Sequence, residues 1–370
     1  MNLVINRTEL YTPLDTLIDC MMVEQGYPNA SQFLCEVSRS IGIFLAYVFP
    51  LVGIFDLAMN IIVAVVFLCL LHKNNRQFVL FGVLALSDIG IVISVGWIQL
   101  FPAFGLSYAS SGTIYYFIMA RSGISCKLTT CFQAICCILR GNVLLLVAID
   151  RCVLIYKPML YKKFSKFPVW IVLLTVVLIS ILMTLPIVLN TDLVKLFNLN
   201  ACWLTHTHNS LIFYKGLLSE TCFSQLVLVT IIDVLFLVKV IKWLRGRRQL
   251  AGTQLSEMKN ISPTITTFLL HTTVFLFSLP CTVALLLKDT MDIQSRDVPT
   301  EFLRVLSLTR HIGWILIFFQ SSMNIFLYTV RIRKFRQVLL KKFKCCVHKS
   351  IDNFQNSTRN TVLSTDTKGE

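Results

Sequence analysis

The sequence predicts an all-α integral membrane protein, a seven-transmembrane helix bundle with a short cytoplasmic amphipathic eighth helix. Its 370 residues are 55% hydrophobic and only 14% charged, whereas soluble domains carry about 25% charged residues. The mean hydropathy is +0.72. The basic residues lie between the apolar stretches, so the net charge of +15 indicates orientation in a membrane and argues against nucleic-acid binding.

Seven apolar stretches are each long enough to cross a bilayer. They cover 41–70, 78–101, 124–156, 168–189, 211–243, 262–288 and 306–330. Four regions follow: an extracellular segment 1–40, the transmembrane domain 41–330, an amphipathic helix with a palmitoylation site 331–346, and a disordered cytoplasmic tail 347–370. Lysine and arginine outnumber acids in the predicted inner loops and tail, which predicts an extracellular N-terminus and a cytoplasmic C-terminus.

Four of the cysteines fall on the predicted outer side, where disulfides form. Cys126 starts the third span and Cys202 lies in the second outer loop. Cys20 and Cys35 could form a second bridge, although free thiols or another pairing stay open.

Four sequence positions match the glycosylation acceptor pattern. Asn6 and Asn29 lie on the predicted outer side, so we expect both to carry glycans. Asn260 and Asn356 face the cytoplasm in this topology and should be unused.

The third span carries its polar groups on one line. At roughly 100° per residue, Cys126, Gln133, Arg140 and Arg151 share a stripe about 40° wide. A span with such a stripe is turned towards protein rather than lipid. The Asp150-Arg151 pair stands where the basic inner loop begins.

The spans also carry particular residues in a fixed order. These are Asn60 in the first, Asp88 in the second, Asp150-Arg151-Cys152 in the third, Trp170 in the fourth, Pro280 in the sixth, and Asn324 with Tyr328 in the seventh. Together with the spacing from Cys126 to Arg151, this order resembles the rhodopsin-like (class A) G-protein-coupled receptors over essentially the whole chain.

The resemblance has clear departures. Cys152 stands where most members carry tyrosine, and Ser278, beside Phe277, stands where most carry the switch tryptophan. Ile325 replaces the seventh-span proline, and the fifth span contains no proline. In these departures the chain resembles divergent invertebrate orphan and neuropeptide receptors.

The resemblance implies a receptor of the plasma membrane and not an enzyme. It implies an extracellular ligand, heterotrimeric G protein as the cytoplasmic partner, and arrestin and receptor kinases at the tail. It implies no cofactor, and it implies that Cys126 and Cys202 form the disulfide beneath the ligand vestibule.

The resemblance also assigns an activation switch. Arg151 would pair with Asp150 at rest and be freed when the sixth helix swings outward. Pro280 would bend that helix. The remaining candidates for the switch are Phe277, Ser278, Asn324 and Tyr328.

A central polar pocket is predicted around Asp88, because charges at the middle of a bilayer usually pair. Family members hold sodium near this aspartate. Arg140 lies roughly 16 Å outward of Arg151 on the same stripe, level with Asp88, so we expect it to replace the ion. Asn60, Ser321 and Asn324 complete this predicted pocket, and pairing of Arg140 with Asp56 is the alternative.

The ligand site should lie at the outer ends of the spans. Gln133 stands where monoamine receptors carry an aspartate, which favours a peptide ligand by resemblance. The other candidates are Glu220, Arg310, His311 and Trp314. His206 and His208 are too few to indicate a metal site, so we predict none.

The predicted amphipathic helix should lie on the membrane lipid, with Cys345 and Cys346 as palmitoylation sites.

Three alternatives stay open for function. They are a ligandless, constitutively active receptor, a receptor for a lipid or an odorant, and a seven-span channel lined by Asp56, Asp88, Arg140 and Asp233.

Overall fold

The computed structural model describes most of the chain. The described residues are 15–28, 30–72, 76–164, 167–196, 199–204, 209–220, 222–248, 255–294 and 300–341.

The described chain is mostly helical, and its long helices form one bundle. Six of them are long and apolar enough to cross a membrane. Because the lipid core contains no water, the backbone N–H and C=O groups of such helices hydrogen-bond to one another within the helix. The first to fourth spans are Gln32–Leu70, Arg76–Ala109, Gly123–Tyr156 and Val169–Leu189. The sixth and seventh spans are Leu255–Gln294 and Thr300–Arg331.

The fifth span is a broken helix. It consists of Asn209–Lys215, a π-helical turn Gly216–Glu220, and Phe223–Arg248. Its two arms meet at 54°, and counting them as one crossing gives seven spans. Cys222 adopts a left-handed backbone at φ 49° between the arms. The sequence predicted a span over 211–243 but gave no prediction of the break within it.

The first span begins earlier than the sequence predicted. Its helix starts at Gln32 rather than at 41, because one face of its first turns already buries Leu34, Cys35 and Ile41. A short helix, Ile18–Glu24, precedes it, and a Cys20–Cys35 disulfide joins the two helices.

The second outer loop contains strands that the sequence analysis did not predict. Strand β1, Thr191–Leu196, pairs antiparallel with β2, Leu199–Leu204. The pairing lets the backbone that leaves the fourth span satisfy its own hydrogen bonds. Cys202 of β2 is bonded to Cys126, so the hairpin is fixed to the outer end of the third span.

Two apolar clusters hold the bundle together. The cluster nearer the C-terminal end of the third span is centred on Phe67, whose ring contacts Tyr328 edge-on with centroids 5.2 Å apart. The other is centred on Phe49, which packs against Phe318. Residues 333–341 are helical and insert the fully buried Phe335 against Phe67. That this segment lies on the membrane surface stays a prediction.

Candidate functional site

The third span positions most of the polar groups of the site. Its first turn is capped by Ser122, whose hydroxyl accepts a hydrogen bond from the Ser125 amide at 3.1 Å. Downstream, Cys126, Arg140 and Arg151 are all buried. The line of polar residues therefore faces the other helices.

The predicted cytoplasmic end of this span holds a buried group of charges. Arg151 Nη2 lies 4.0 Å from Asp150 Oδ2. On the other side, Arg76 Nε of the second span lies 3.8 Å from Asp150 Oδ1. Asp150 therefore has cations from two spans within ion-pair distance.

Arg151 also connects to the sixth span through a glutamine. Its Nη2 donates a hydrogen bond to Gln77 Oε1, and Gln77 Nε2 donates to Thr267 Oγ1 at 2.6 Å. All three side chains are buried. This Gln77 relay, Arg151–Gln77–Thr267, joins the third, second and sixth spans at the predicted cytoplasmic end of the bundle.

A closed ring of four side chains lies in the middle of the bundle. Arg140 Nε is 2.8 Å from Asp88 Oδ1, and Arg140 Nη2 donates to Gln320 Oε1. Gln320 Nε2 donates to Asn324 Oδ1 at 2.8 Å, and Asn324 Nδ2 donates to Asp88 Oδ2 at 3.1 Å. The central ring, Asp88–Arg140–Gln320–Asn324, connects the second, third and seventh spans.

Two residues expected beside Asp88 belong to a separate contact instead. Ser321 Oγ donates to Asp56 Oδ1 at 3.0 Å, and Asn60 Nδ2 donates to the same oxygen at 2.6 Å. Asn60 Nδ2 also lies within hydrogen-bond distance of Ser321 Oγ, at 2.9 Å. The predicted single pocket is thus two neighbouring groups, and Arg140 makes its ion pair with Asp88 rather than with Asp56.

The switch candidates of the sixth span have unequal surroundings. Ser278 is buried, and its hydroxyl donates to the Val274 carbonyl one turn back. Phe277 is only partly buried, and Pro280 lies within a helix that continues on both sides. In the seventh span, Tyr328 is buried against Phe67 and Phe81.

A cavity of about 100 Å³ opens at the predicted outer side. Four predicted ligand residues line it, namely Gln133, Arg310, His311 and Trp314. Glu220, the fifth candidate, ends the π-helical turn of the fifth span, and its side chain is outside the described part of the structure. Gln133 Oε1 accepts a hydrogen bond of 2.6 Å from Gln99 Nε2, and both residues line the cavity.

The N-terminal segment is fastened to the outer end of the seventh span. Arg304 Nε donates to Asp19 Oδ1 and Oδ2 at 3.0 and 2.9 Å, and Arg304 Nη1 donates to Asp15 Oδ1. His311 Nε2 lies 3.1 Å from Asp15 Oδ2. This N-terminal clasp, Asp15, Asp19, Arg304 and His311, shares His311 with the cavity.

The clasp changes the acidity of Asp15. Burial alone raises the pKa of this carboxyl, but the Arg304 charge and the contacts with His311 outweigh burial and lower the pKa to about 2. Asp15 is therefore ionised at neutral pH, and its charge is met by neighbouring donors.

Several predicted modification sites lie outside the described residues. These are Asn6, Asn29, Cys345 and Cys346. Within the described chain, no three His, Cys, Asp or Glu residues form a group that could hold a metal ion.

Sequence reasoning missed the residues that link the polar groups. Gln77, Gln320, Thr267, Arg304 and Asp15 all make contacts across long sequence separations. The available signal was weak: Gln77, Gln320, Thr267 and Arg304 are polar residues inside or beside an apolar span, where such residues usually pair. Asp15 lies in the N-terminal segment, where no such signal exists.

Comparison with known families places most of the chain in a family. A family model described as "7 transmembrane receptor (rhodopsin family)" matches residues 59–328. A search of curated proteins finds no significant relative.

Proposed function

Because this chain belongs to the rhodopsin family of seven-transmembrane receptors, we propose that it is a plasma-membrane receptor that couples an extracellular ligand to heterotrimeric G protein. The main support for this proposal is the position of Arg151. It is buried at the end of the third span and joined through Gln77 to the sixth span. A ligand that shifts the sixth span would release this arginine, which is a shift between two pre-existing states.

The proposed ligand is a neuropeptide. The cavity supports this class because it is lined by neutral amides, Gln99 and Gln133, and by aromatic side chains. An ammonium ligand would need a carboxylate opposite its charge, and Gln133 supplies only an amide.

We propose the orientation and the remaining partners from the charge distribution. Basic inner loops favour an extracellular N-terminus, which would expose Asn6 and Asn29 to glycosylation. The serine- and threonine-containing tail would then meet receptor kinases and arrestin. The amphipathic segment, with Cys345 and Cys346 after it, would anchor the receptor to membrane lipid.

The test is a G-protein dissociation assay in cells, with a neuropeptide library applied to the parent and to Arg151→Ala at equal surface expression. We expect a peptide response in the parent that the variant loses. Lys157→Ala is the control, because Lys157 is an exposed cation just beyond the same end of the third span.

Two results would contradict the proposal in different ways. If a basal signal depends on Arg151 but no peptide changes it, the protein is instead a ligandless receptor or a receptor for a non-peptide ligand. A well-expressed parent with neither basal nor evoked signal would contradict G-protein coupling itself.

A further inference from the structure

Asp56 is a second carboxyl in the interior of the bundle, beside the central ring. It lies in the first span and is fully buried. The nearby arginine, Arg140, makes its ion pair with Asp88, at 2.8 Å. Within the described residues, no cation forms an ion pair with Asp56. Since a lone charge inside a membrane is costly, the charge of Asp56 must be neutralised in another way.

The two carboxyl oxygens of Asp56 have different surroundings. Oδ1 accepts hydrogen bonds from Ser321 Oγ at 3.0 Å and from Asn60 Nδ2 at 2.6 Å. Oδ2 is buried and has no hydrogen-bond partner among the described residues. A buried carboxylate oxygen without a partner loses its hydration and gains nothing in exchange. Oδ2 is therefore the atom at which neutralisation is needed.

Ser322 of the seventh span is next to Asp56 but does not supply a proton. Its hydroxyl lies close enough to act on the Asp56 carboxyl, yet it donates to the Phe318 carbonyl at 3.0 Å. What its oxygen can still offer a neighbour is a lone pair. A lone pair repels an ionised carboxylate, whereas it accepts a hydrogen bond from a protonated one.

The charged groups around Asp56 oppose a second negative charge. They are Asp88 of the second span and Arg140 of the third. One cation balances one of the two carboxyls, and the 2.8 Å contact assigns Arg140 to Asp88. An ionised Asp56 would therefore give this part of the interior a net negative charge, which the surrounding apolar side chains cannot solvate.

We propose that Asp56 is a proton-binding site. A proton taken from water is bound to Oδ2, and the resulting neutral carboxylic acid joins the first span to the seventh. The new O–H group donates towards the Ser322 hydroxyl, while Oδ1 keeps its hydrogen bonds from Ser321 and Asn60. Loss of this proton to water leaves a carboxylate opposite a lone pair, so high pH weakens the contact between the two spans.

A bound metal cation such as sodium is the other means of supplying one positive charge. Hard cations take about six or more oxygen ligands. Because two donors already occupy Oδ1 of Asp56, this carboxyl offers a cation a single oxygen. A proton needs only one lone pair and one acceptor, which Oδ2 and Ser322 provide. The geometry therefore favours the proton, and sodium is one outcome of the test.

The first measurement is the infrared spectrum of the full-length protein, purified in detergent at neutral pH. A protonated carboxyl has a C=O stretching band that an ionised carboxylate lacks, and we expect Asp56→Asn to weaken this band. Asp56→Leu also lacks the carboxyl and gives the same comparison if the asparagine variant does not fold. Asp192→Asn is the control, because Asp192 is half-exposed and 3.5 Å from Lys127, and its loss should leave the band unchanged.

The second measurement is the melting temperature at a series of pH values. An unfolded aspartate ionises at about pH 4, whereas the proposed site keeps its proton at higher pH. The stability that this proton contributes is therefore complete below about pH 4 and is lost as the pH rises. The parent should lose melting temperature relative to Asp56→Asn as the pH increases, while the difference between the parent and Asp192→Asn should stay constant.

Three results would overturn the proposal. The first is a protonated-carboxyl band that neither Asp56 variant changes, and the second is a difference between parent and Asp56→Asn that does not vary with pH. The third is stabilisation by sodium chloride over N-methyl-D-glucamine chloride in the parent but not in Asp56→Asn, which would identify a sodium ion in place of the proton. The proposed receptor function is judged separately, by G-protein dissociation, so either proposal can fail without the other.

Discussion

Arg140 occupies a position where few proteins tolerate a charge. An arginine at the centre of a transmembrane helix costs about 2.5–3.5 kcal/mol on insertion scales. The central ring offsets this cost, because Asp88 supplies the opposite charge and Gln320 accepts a hydrogen bond from the guanidinium. Arg140 therefore takes the role of counter-ion to Asp88.

The first prediction follows from that role. Replacing Arg140 by serine removes the counter-ion and leaves Asp88 buried without a cation. We expect Arg140→Ser to unfold at a lower temperature, because breaking a buried pair typically costs about 3–5 kcal/mol. Sodium chloride should restore part of the loss, whereas the parent should not distinguish sodium from N-methyl-D-glucamine at equal ionic strength.

The double variant Arg140→Ser/Asp88→Asn is the control for this prediction. It has no carboxylate for sodium to bind, so its melting temperature should not depend on the cation. A single variant that ignores sodium just as the parent does would remove the main support for a built-in cation.

The pairing of Arg140 with Asp88 could be expected from the sequence because helix geometry fixes both depth and face. The hydrogen-bond partners of the seventh-span side chains could not be predicted in this way. Gln320 and Ser321 are neighbours, yet one contacts Arg140 and the other Asp56. One residue of helix turns a side chain by about 100°, so a small rotation of the seventh span decides which polar group each residue joins.

At the scale of elements, the Gln77 relay fastens the sixth span to the second and third. Thr267 is the sixth-span end of that contact. The resemblance suggested only a local pair between Arg151 and Asp150. The structure adds a neutral amide between Arg151 and the helix that would have to move.

The second prediction concerns this relay. Thr267→Val removes the acceptor hydroxyl but keeps the branched shape, and we expect basal G-protein activation to rise roughly two- to tenfold. That range corresponds to a net hydrogen bond of about 0.5–1.5 kcal/mol. A matched control is Thr272→Val in the same helix, because the Thr272 hydroxyl donates to the Phe268 carbonyl of its own helix, at 2.8 Å.

Basal activation can be measured as ligand-free G-protein dissociation, normalised to surface expression. Gln77→Leu should raise basal activation, as Thr267→Val does. Equal basal activity in the parent, in both relay variants and in the Thr272 control would show that the relay does not restrain the sixth span.

Two elements could not be predicted from the sequence. The fifth span breaks at Cys222, although no proline or glycine marks that position; a left-handed residue is set by tertiary packing, and Cys222 is buried against the core. The outer hairpin has only short strands, and its second strand is attached to the third span through the Cys126–Cys202 disulfide. Long apolar helices, in contrast, could be found from length and hydropathy alone.

At the scale of the whole molecule, the N-terminal clasp joins the segment before the first span to the seventh span. Asp15 and Arg304 are separated by 289 residues, and their side chains are in contact. The Cys20–Cys35 bridge then fastens the same segment to the first span. The N-terminal segment is thus attached to both the first and the seventh spans.

The third prediction is the pH dependence of this clasp. The pKa of Asp15 is lowered from 3.8 to about 2, so its contribution to stability is complete above pH 3.8 and is lost as the pH falls towards 2. That contribution is on the order of 2 kcal/mol. Asp15→Asn should therefore lower the melting temperature by a constant amount near neutral pH, and the difference should shrink only below pH 3.8.

Thermal unfolding of the purified receptor at a series of pH values checks this prediction. Glu36→Gln is the control, since it removes an exposed acid from the same region whose contacts are with Gln32 and the exposed Arg39 of its own helix. It should change the melting temperature little, because exposed pairs contribute about 0–1 kcal/mol. A difference between parent and Asp15→Asn that already disappears well above pH 3.8 would contradict the assigned charge state.

The covalent attachment of Arg140 has a consequence for every conformation of the bundle. A dissolved ion can be expelled to water when helices rearrange, and its occupancy follows its concentration. The Arg140 guanidinium is part of the third span, so it cannot leave the bundle and its occupancy does not vary. The interior must therefore accommodate the positive charge of Arg140 in all conformations, so those that separate Arg140 from Asp88 are populated only where the guanidinium finds another polar neighbour. This requirement limits the conformations that the ligand-free protein can populate.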